Sequence, residues 1–176
     1  MILVLVMSLL SMAAFTLPTA ASSDGAASND DSFYRIVHLD CGRKYFTKDW
    51  IIALLNEMKA DGYNQLQLAF GNDGLRFLLD DMSLTVNGTT YESDAVKSAI
   101  HAGNEAYYNF DVDELTQTEM DAVLAYAKEK GMGVIPMLNT PGHMDAILAA
   151  ATSLTGTNCA YSGSARTIDV TNSTAV

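Results

Sequence analysis

The sequence predicts an α/β fold in which short parallel strands alternate with amphipathic helices. Three observations support this: short apolar segments of strand length, apolar residues at helical spacing between them, and glycines where those helices should end. The strands are predicted at residues 34–39, 64–70 and 133–138. Strands connected through helices run parallel, with right-handed crossovers.

The first helix is predicted from a cap at Thr47 to about Ala60. Its apolar residues recur at i, i+3, i+4 and i+7, which places Ile51, Leu54, Leu55 and Met58 on one face. Asp61 and Gly62 follow, and glycine is the usual residue just past a helix end. This pattern predicts one helix that packs a single stripe against the sheet.

The helix before the third strand begins at a capping box. Thr116 stands three residues before Glu119, so each side chain can bond the other's backbone N–H. The apolar face behind it carries Met120, Val123, Leu124 and Ala127, and Gly131 ends the helix.

An insertion is predicted after the second strand. The loop of residues 71–74 comes first, since Gly-Asn-Asp-Gly is a turn composition. Residues 84–91 then predict a hairpin, because Asn87-Gly88 favours a type I′ turn. A helix capped by Ser93 should run to about Tyr107.

Two parallel architectures fit this order, a Rossmann sheet and a (β/α) barrel. No GxGxxG sequence follows any predicted strand, which favours the barrel. A full barrel takes about 250 residues, whereas this chain has 176. We therefore expect a partial (β/α)8 TIM barrel: about the first three β/α units, with the hairpin and helix inserted after strand 2.

The N-terminal residues are typical of an export signal. Residues 1–17 are nearly all apolar and small residues follow, so residues 1–21 are predicted to be a signal peptide. No Lys or Arg precedes the apolar run, and a membrane anchor is the alternative. Residues 22–32 are predicted to be a flexible linker and residues 33–176 the folded domain. The expected location is secreted or cell surface.

Composition restricts the partners. The net charge is −11 and the pI is near 4.4, which argues against a nucleic-acid partner. The two cysteines, Cys41 and Cys159, do not have the spacing of a metal site, and no cofactor is expected. They could form one disulfide, or Cys41 could be buried at a strand end without a partner.

Polar residues follow each predicted parallel strand. In a (β/α) barrel the loops after the strands share one face, which carries the active site. Three separate loops would therefore deliver polar side chains to one rim: Asp40 and Arg43, Asn72 and Asp73, and Asn139 and His143.

Each candidate has a chemical and a structural interpretation. The planar guanidinium of Arg43 can bind paired hydroxyls or a carboxylate, or it can form a structural salt bridge with Asp40. Asp73 and His143 could form a carboxylate–imidazole couple that fixes the tautomer of the ring. Spacing alone leaves open that the two are loop-capping residues that never meet.

Three segments resemble one known family. LDCGRKYF at residues 39–46, LQLAFGNDGLRFLLDDM at residues 66–82 and VIPMLNTPGHMDA at residues 134–146 occur in the family's order. They are similar to the first three strand segments of family 20 glycoside hydrolases, the β-N-acetylhexosaminidases. The second segment is especially similar to secreted enzymes of Gram-positive bacteria.

The resemblance implies a (β/α)8 barrel that removes terminal N-acetylglucosamine or N-acetylgalactosamine from glycans. The implied mechanism is retaining and substrate-assisted, with attack by the substrate's own acetamido oxygen. Arg43, with Asp40 beside it, would bind the terminal sugar. Asp73 and His143 would form a relay behind the acid. The implied partner is a glycan ending in N-acetylhexosamine, without a cofactor.

The family's catalytic Asp-Glu pair follows the fourth strand, and this sequence has no such pair in a suitable place. Asp113-Glu114 precedes a predicted helix instead. We therefore expect this polypeptide to be a truncated, inactive and poorly soluble fragment. Three alternatives remain: a non-catalytic carbohydrate-binding surface protein, an enzyme that releases a disaccharide in the manner of lacto-N-biosidases, and a barrel hydrolase for sugars without an acetamido group.

Overall fold

A computed structural model describes residues 33–107 and 113–176. The predicted signal peptide and linker lie outside these residues. Within the described ranges, no helix has both the length and the apolar character needed to cross a membrane.

The described residues form an α/β structure. In chain order its elements are β1 (Ile36–Asp40), α1 (Lys48–Ala60), β2 (Gln65–Asn72), β3 (Gly74–Leu75), β4 (Leu84–Val86), β5 (Thr89–Tyr91), α2 (Ser93–Tyr107), α3 (Gln117–Glu129), β6 (Gly133–Leu138), α4 (Asp145–Thr155), β7 (Ala160–Tyr161) and β8 (Ser164–Ile168).

The main sheet has β2 at its centre. Strand β2 pairs in parallel with β1 on one side and with β6 on the other, so the prediction of parallel strands is confirmed. Leu68 stands opposite Leu39 in β1 and opposite Pro136 in β6. The carboxyl ends of the three strands therefore meet at one edge.

Alternation along β2 places its apolar side chains on one face. Leu66, Leu68 and Phe70 are buried in the core, while Gln65 and Gln67 on the opposite face are half-buried. Most residues of the two predicted helix stripes are buried in the core, while Leu54 and Leu124 are half-buried against it. The buried residues are Ile51, Leu55 and Met58 of α1, and Met120, Val123 and Ala127 of α3.

Two of the three predicted helix caps are present. Thr47 Oγ1 accepts a hydrogen bond from the N–H of Trp50 at the start of α1. At α3, Thr116 Oγ1 accepts from the N–H of Glu119, and the Glu119 carboxylate accepts from the N–H of Thr116. These bonds satisfy backbone donors that have no partner inside the helix.

The insertion after β2 is a hairpin and a helix, as predicted. Strands β4 and β5 pair antiparallel around Asn87 and Gly88, which have φ of 49° and 80°. Helix α2 follows and packs extensively against α4. The third predicted cap was wrong, because α2 begins at Ser93 itself and Ser93 Oγ accepts a hydrogen bond from the N–H of Met82 over 2.9 Å.

The prediction for residues 71–74 was wrong in part. Strand β2 continues through Asn72, and the chain reverses at Asp73 into the short antiparallel strand β3. The reversal is made by Asp73, which has φ of 66°. A Cβ on Gly74 would lie 2.5 Å from the carbonyl oxygen of Gly42, so this glycine is required by a close backbone contact and does not mark an open loop. Helix α4 and the β7–β8 hairpin were also missed.

Both cysteines are buried and neither forms a disulfide. Cys41 lies directly after β1, where burial and then the charge of Asp40 raise the pKa of its thiol to about 12. Burial also raises the pKa of Cys159. The structure therefore supports separate thiols over a disulfide.

Candidate functional site at the carboxyl edge of the main sheet

The loop after β1 is folded around the carboxylate of Asp40. Its Oδ1 accepts hydrogen bonds from the N–H groups of Gly42 (3.1 Å) and Arg43 (3.2 Å). A Cβ on Gly42 would lie 2.2 Å from the backbone nitrogen of Asn72, so only glycine fits between this loop and the end of β2. The Arg43 side chain is thereby directed toward the loop that follows β2.

A second set of bonds links the three strand ends. Asn72 donates from Nδ2 to Asp40 Oδ2 over 2.8 Å, and its own Oδ1 accepts from Asn139 Nδ2 over 3.1 Å. These residues follow or end β1, β2 and β6. The network holds neighbouring strands together at the edge where the candidate residues lie.

Asp73 occupies the turn between β2 and β3. It has φ of 66°, a left-handed conformation that Asp adopts more readily than most residues. Its side chain is completely buried. Its backbone N–H donates to the carbonyl of His143 over 2.6 Å, and its carbonyl accepts from Ala146 over 2.9 Å. The turn after β2 is therefore bonded directly to the loop between β6 and α4.

His143 lies in that loop and also has a left-handed conformation, with φ of 58°. The Thr140–Pro141 peptide bond before it is cis. The imidazole is 41% exposed, and its Nδ1 lies 2.8 Å from Asp73 Oδ1. The alternative that Asp73 and His143 never meet is wrong.

The Asp73 carboxylate accepts hydrogen bonds from four side chains. Oδ2 accepts from Arg43 Nε and from the hydroxyl of Tyr107, both over 2.8 Å. Oδ1 accepts from His143 Nδ1 and from the guanidinium of Arg166. This buried carboxylate is therefore the centre of the site, with two partners on each oxygen.

These contacts determine the charge of the site. Burial alone raises the pKa of Asp73, but the hydrogen bonds from Arg43, Tyr107, Arg166 and His143 outweigh burial and hold the pKa well below its ordinary value. The bonds to Asp73 raise the pKa of both guanidinium groups. Burial, followed by the bond to Asp73, raises the pKa of the Tyr107 hydroxyl. Asp73 is therefore a carboxylate at neutral pH.

The sequence predictions did not include three members of this site. Tyr107 is the last residue of α2, Arg166 lies in β8, and Asp145 begins α4. Arg166 Nε donates to Asp145 Oδ2 over 3.2 Å, so Arg166 connects Asp145 to Asp73. The position of Asp145, two residues after His143, was a sequence signal that could have identified it. The sequence contained no comparable signal for Tyr107 or Arg166.

The β7–β8 hairpin supports the loop that carries His143. The N–H of Ile168 donates to the carbonyl of Pro141 over 2.9 Å, and the N–H of Met144 donates to the carbonyl of Arg166 over 3.1 Å. His143 lies between these two backbone bonds. The hairpin thus holds the loop from both sides while Arg166 reaches Asp73.

The arrangement fixes the chemistry available to the imidazole. A carboxylate only accepts hydrogen bonds, so Asp73 requires a proton on His143 Nδ1. In the neutral ring the lone pair is then on Nε2. In this orientation Nε2 can accept a hydrogen bond from a donor that approaches the half-exposed ring. Within residues 33–107 and 113–176 no group of three or more His, Cys, Asp or Glu side chains could hold a metal ion.

Sequence and structure comparisons identify similar proteins. Residues 33–175 match the model of the glycosyl hydrolase family 20 catalytic domain. The chain is 28% identical over 125 residues to β-hexosaminidase B of Pseudoalteromonas piscicida, covering 66% of this chain and 16% of that protein.

Solved structures show the same relationship. Two structures of the pneumococcal exo-β-D-N-acetylglucosaminidase StrH are 44% identical to this chain with TM-scores of 0.77, and each match covers 81% of it. A family 20 exo-β-N-acetylglucosaminidase from Vibrio harveyi has a TM-score of 0.51 at 19% identity over 77% of this chain, a likeness of fold alone.

The chain spans only part of each of these proteins, 35% and 36% of the two StrH chains and 22% of the Vibrio chain. The family match nevertheless covers nearly all the described residues and includes the three strand ends that build the site. The chain belongs to glycosyl hydrolase family 20, within the catalytic domain.

Proposed function

We propose that this chain forms the sugar-recognition and relay part of a β-N-acetylhexosaminidase that removes terminal N-acetylglucosamine or N-acetylgalactosamine from glycans. In this proposal residues 33–176 are the first β/α units of a (β/α)8 barrel. The retaining mechanism uses the substrate's acetamido oxygen as nucleophile, which makes the attack intramolecular.

One observation carries this proposal: Arg43 and His143 both bond to the buried carboxylate of Asp73. The sugar-binding arginine and the proton-relay histidine are thereby held at a fixed distance from each other, because each bonds to a different oxygen of the same carboxylate. The guanidinium of Arg43 is 48% exposed and can present N–H groups to sugar hydroxyls. The half-exposed imidazole can present Nε2 to an acid outside these residues.

The sequence contains one Asp-Glu dipeptide, Asp113-Glu114. The Glu114 carboxylate accepts hydrogen bonds from Asn104 Nδ2 over 2.7 Å and from His101 Nδ1 over 2.9 Å, on the side of α2. It does not follow a strand of the main sheet. We propose that the general acid and the group that orients the acetamido are not supplied by these 176 residues, so the chain alone has no hydrolase activity.

The resemblance to StrH and to β-hexosaminidase B supports this substrate class. One of the two StrH structures is described with N-glycan recognition and hydrolysis. We also propose that residues 1–21 direct export, residues 22–32 link the signal to the domain, and the protein acts outside the cell or at its surface.

Two measurements on the purified chain test the proposal. A chromogenic N-acetylglucosaminide should give no turnover above buffer. In a titration followed by NMR, N-acetylglucosamine should shift the Arg43 Nε–H and His143 ring signals. Turnover would contradict the missing acid, and unchanged signals would contradict sugar recognition.

The reading frame beyond the codon for Val176 separates the enzyme from its main alternative. A continuing frame with Asp-Glu after an apolar strand supports a hexosaminidase. A stop codon supports a carbohydrate-binding surface protein that retains the sugar site without hydrolysis.

A further inference from the structure

Helix α2 reaches the Asp73 site at three nearby positions. A Cβ on Gly103 would lie 2.6 Å from the carbonyl oxygen of Ala146, so the backbone of α2 lies directly against the first turn of α4. Asn104 is fully buried beside it. Tyr107, three residues further and on the same face of the helix, bonds to Asp73 Oδ2.

Asn104 closes the short strand that follows Asp73. Its Oδ1 accepts from the N–H of Leu75 over 2.8 Å, and its Nδ2 donates to the carbonyl of Leu75 over 2.7 Å. The amide side chain thus bonds both polar groups of one residue, as a neighbouring strand would. The same Nδ2 donates to Glu114, which keeps the amide in this orientation.

We propose that the inserted helix α2 positions the Asp73–His143 couple. Tyr107 fixes the carboxylate of Asp73, and Asn104 fixes the backbone at Leu75, two residues after Asp73. The inference rests on the proposed function, since the couple is the relay of that proposal. Neither residue touches the sugar; each acts through Asp73.

The physical argument concerns rotation of the carboxylate. Arg43 and Tyr107 hold Oδ2, while His143 and Arg166 hold Oδ1. Both arginines are about half exposed and can exchange this contact for water. The Tyr107 hydroxyl is on a bulky ring at the end of a packed helix, and Tyr107 is less exposed than either arginine. Its bond to Asp73 should therefore exchange for water less readily than theirs. Loss of this bond should let the carboxylate turn away from His143 Nδ1.

The test uses the whole chain with ¹⁵N-labelled histidine. In the wild type the His143 Nδ1–H proton should exchange slowly with water. Tyr107→Phe should speed this exchange by about tenfold, the change expected from one hydrogen bond to a charged group. Tyr126→Phe is the matched control, because the Tyr126 hydroxyl also donates one 2.7 Å bond, to Asn56 Oδ1, outside the site. That control should leave the exchange rate of the His143 Nδ1–H proton unchanged.

Amide exchange in α1 separates positioning from general loss of stability. If α1 exchanges as in the wild type while the His143 proton exchanges faster, the inference is supported. If the His143 proton is unaffected, or if it accelerates only in proportion to α1, the inference is overturned.

A measurement that needs no variant covers the case in which Tyr107→Phe fails to fold. The Tyr107 hydroxyl proton of the wild type should exchange more slowly than that of the exposed Tyr161. Equal rates would overturn the inference. Neither exchange experiment contains a sugar. Failure of N-acetylglucosamine to bind would therefore contradict the proposed function, while the exchange rates would still test whether Tyr107 positions the Asp73–His143 couple.

Discussion

Asp73 and His143 are joined twice, once through their side chains and once through their backbones. His143 Nδ1 lies 2.8 Å from Asp73 Oδ1, and the N–H of Asp73 donates to the carbonyl of His143 over 2.6 Å. The second bond fixes the distance between the loops after β2 and β6 independently of either side chain. Variants at these positions can therefore remove the chemistry while the two loops remain connected.

Replacement of Asp73 by Asn should lower the free energy of unfolding by about 2–4 kcal/mol, because a buried carboxylate with four donors loses its charge. The lower part of that range applies if Arg43 and Arg166, each about half exposed, turn into water. Urea denaturation measures the change. Asp49→Asn is the control, since Asp49 is 85% exposed, and a change equal to the control would contradict the central role of Asp73.

Stability should depend on pH through the same carboxylate. The folded-state pKa of Asp73 is lowered, so its contribution is complete above the unfolded pKa of about 3.9 and declines as the pH falls below it. Burial raises the pKa of Asp145, which acts in the opposite direction. The difference in unfolding free energy between wild type and Asp73→Asn reports Asp73 together with the part of the raised Asp145 pKa that Asp73 causes. It should shrink between about pH 5 and pH 3, and a constant difference would contradict the assigned direction.

Arg43→Lys should weaken binding of N-acetylglucosamine by at least about tenfold. Lysine cannot bond Asp73 and still present a planar pair of donors to sugar hydroxyls. Isothermal titration or NMR shifts measure the affinity. Arg35→Lys is matched, since Arg35 also donates through Nε, to the carbonyl of Gly62, outside the site. Equal affinities of the two variants for N-acetylglucosamine would contradict the assignment of Arg43 to the sugar site.

The two thiols should stay unmodified in the folded protein. Cys41 is 1% exposed with a pKa of about 12, and Cys159 is also buried, so neither supplies accessible thiolate near pH 8. A thiol-specific disulfide reagent should therefore label two sites only after denaturation. Rapid native labelling would contradict the burial, and no labelling after denaturation would indicate a disulfide.

The repeating features of this fold were predictable from the sequence because they depend on neighbouring residues. Ile51, Leu55 and Met58 share one face by helical spacing, and the Thr116–Glu119 capping box spans three residues. Asn87-Gly88 specifies its hairpin locally in the same way. Each of these predictions was confirmed.

The site was only partly predictable because its contacts are distant in sequence. Arg43, Asp73 and His143 follow parallel strands, and that topology places them at one edge. Arg166 reaches Asp73 from 93 residues away, on a hairpin outside the main sheet. Tyr107 reaches it from 34 residues away, on a helix that the alternation of strands and helices did not require.

The left-handed backbone at Asp73 and His143 has a consequence for the natural variation of this site. Glycine would relieve the conformational cost at both positions, about 1 kcal/mol each, and would leave the backbone bonds between the loops intact. At Asp73 this gain is smaller than the loss of about 2–4 kcal/mol that removal of the buried carboxylate causes, so selection for folding alone should retain Asp73. His143 is 41% exposed, so glycine there would cost less. Homologous chains released from catalysis should therefore turn to glycine at position 143 before they change at position 73.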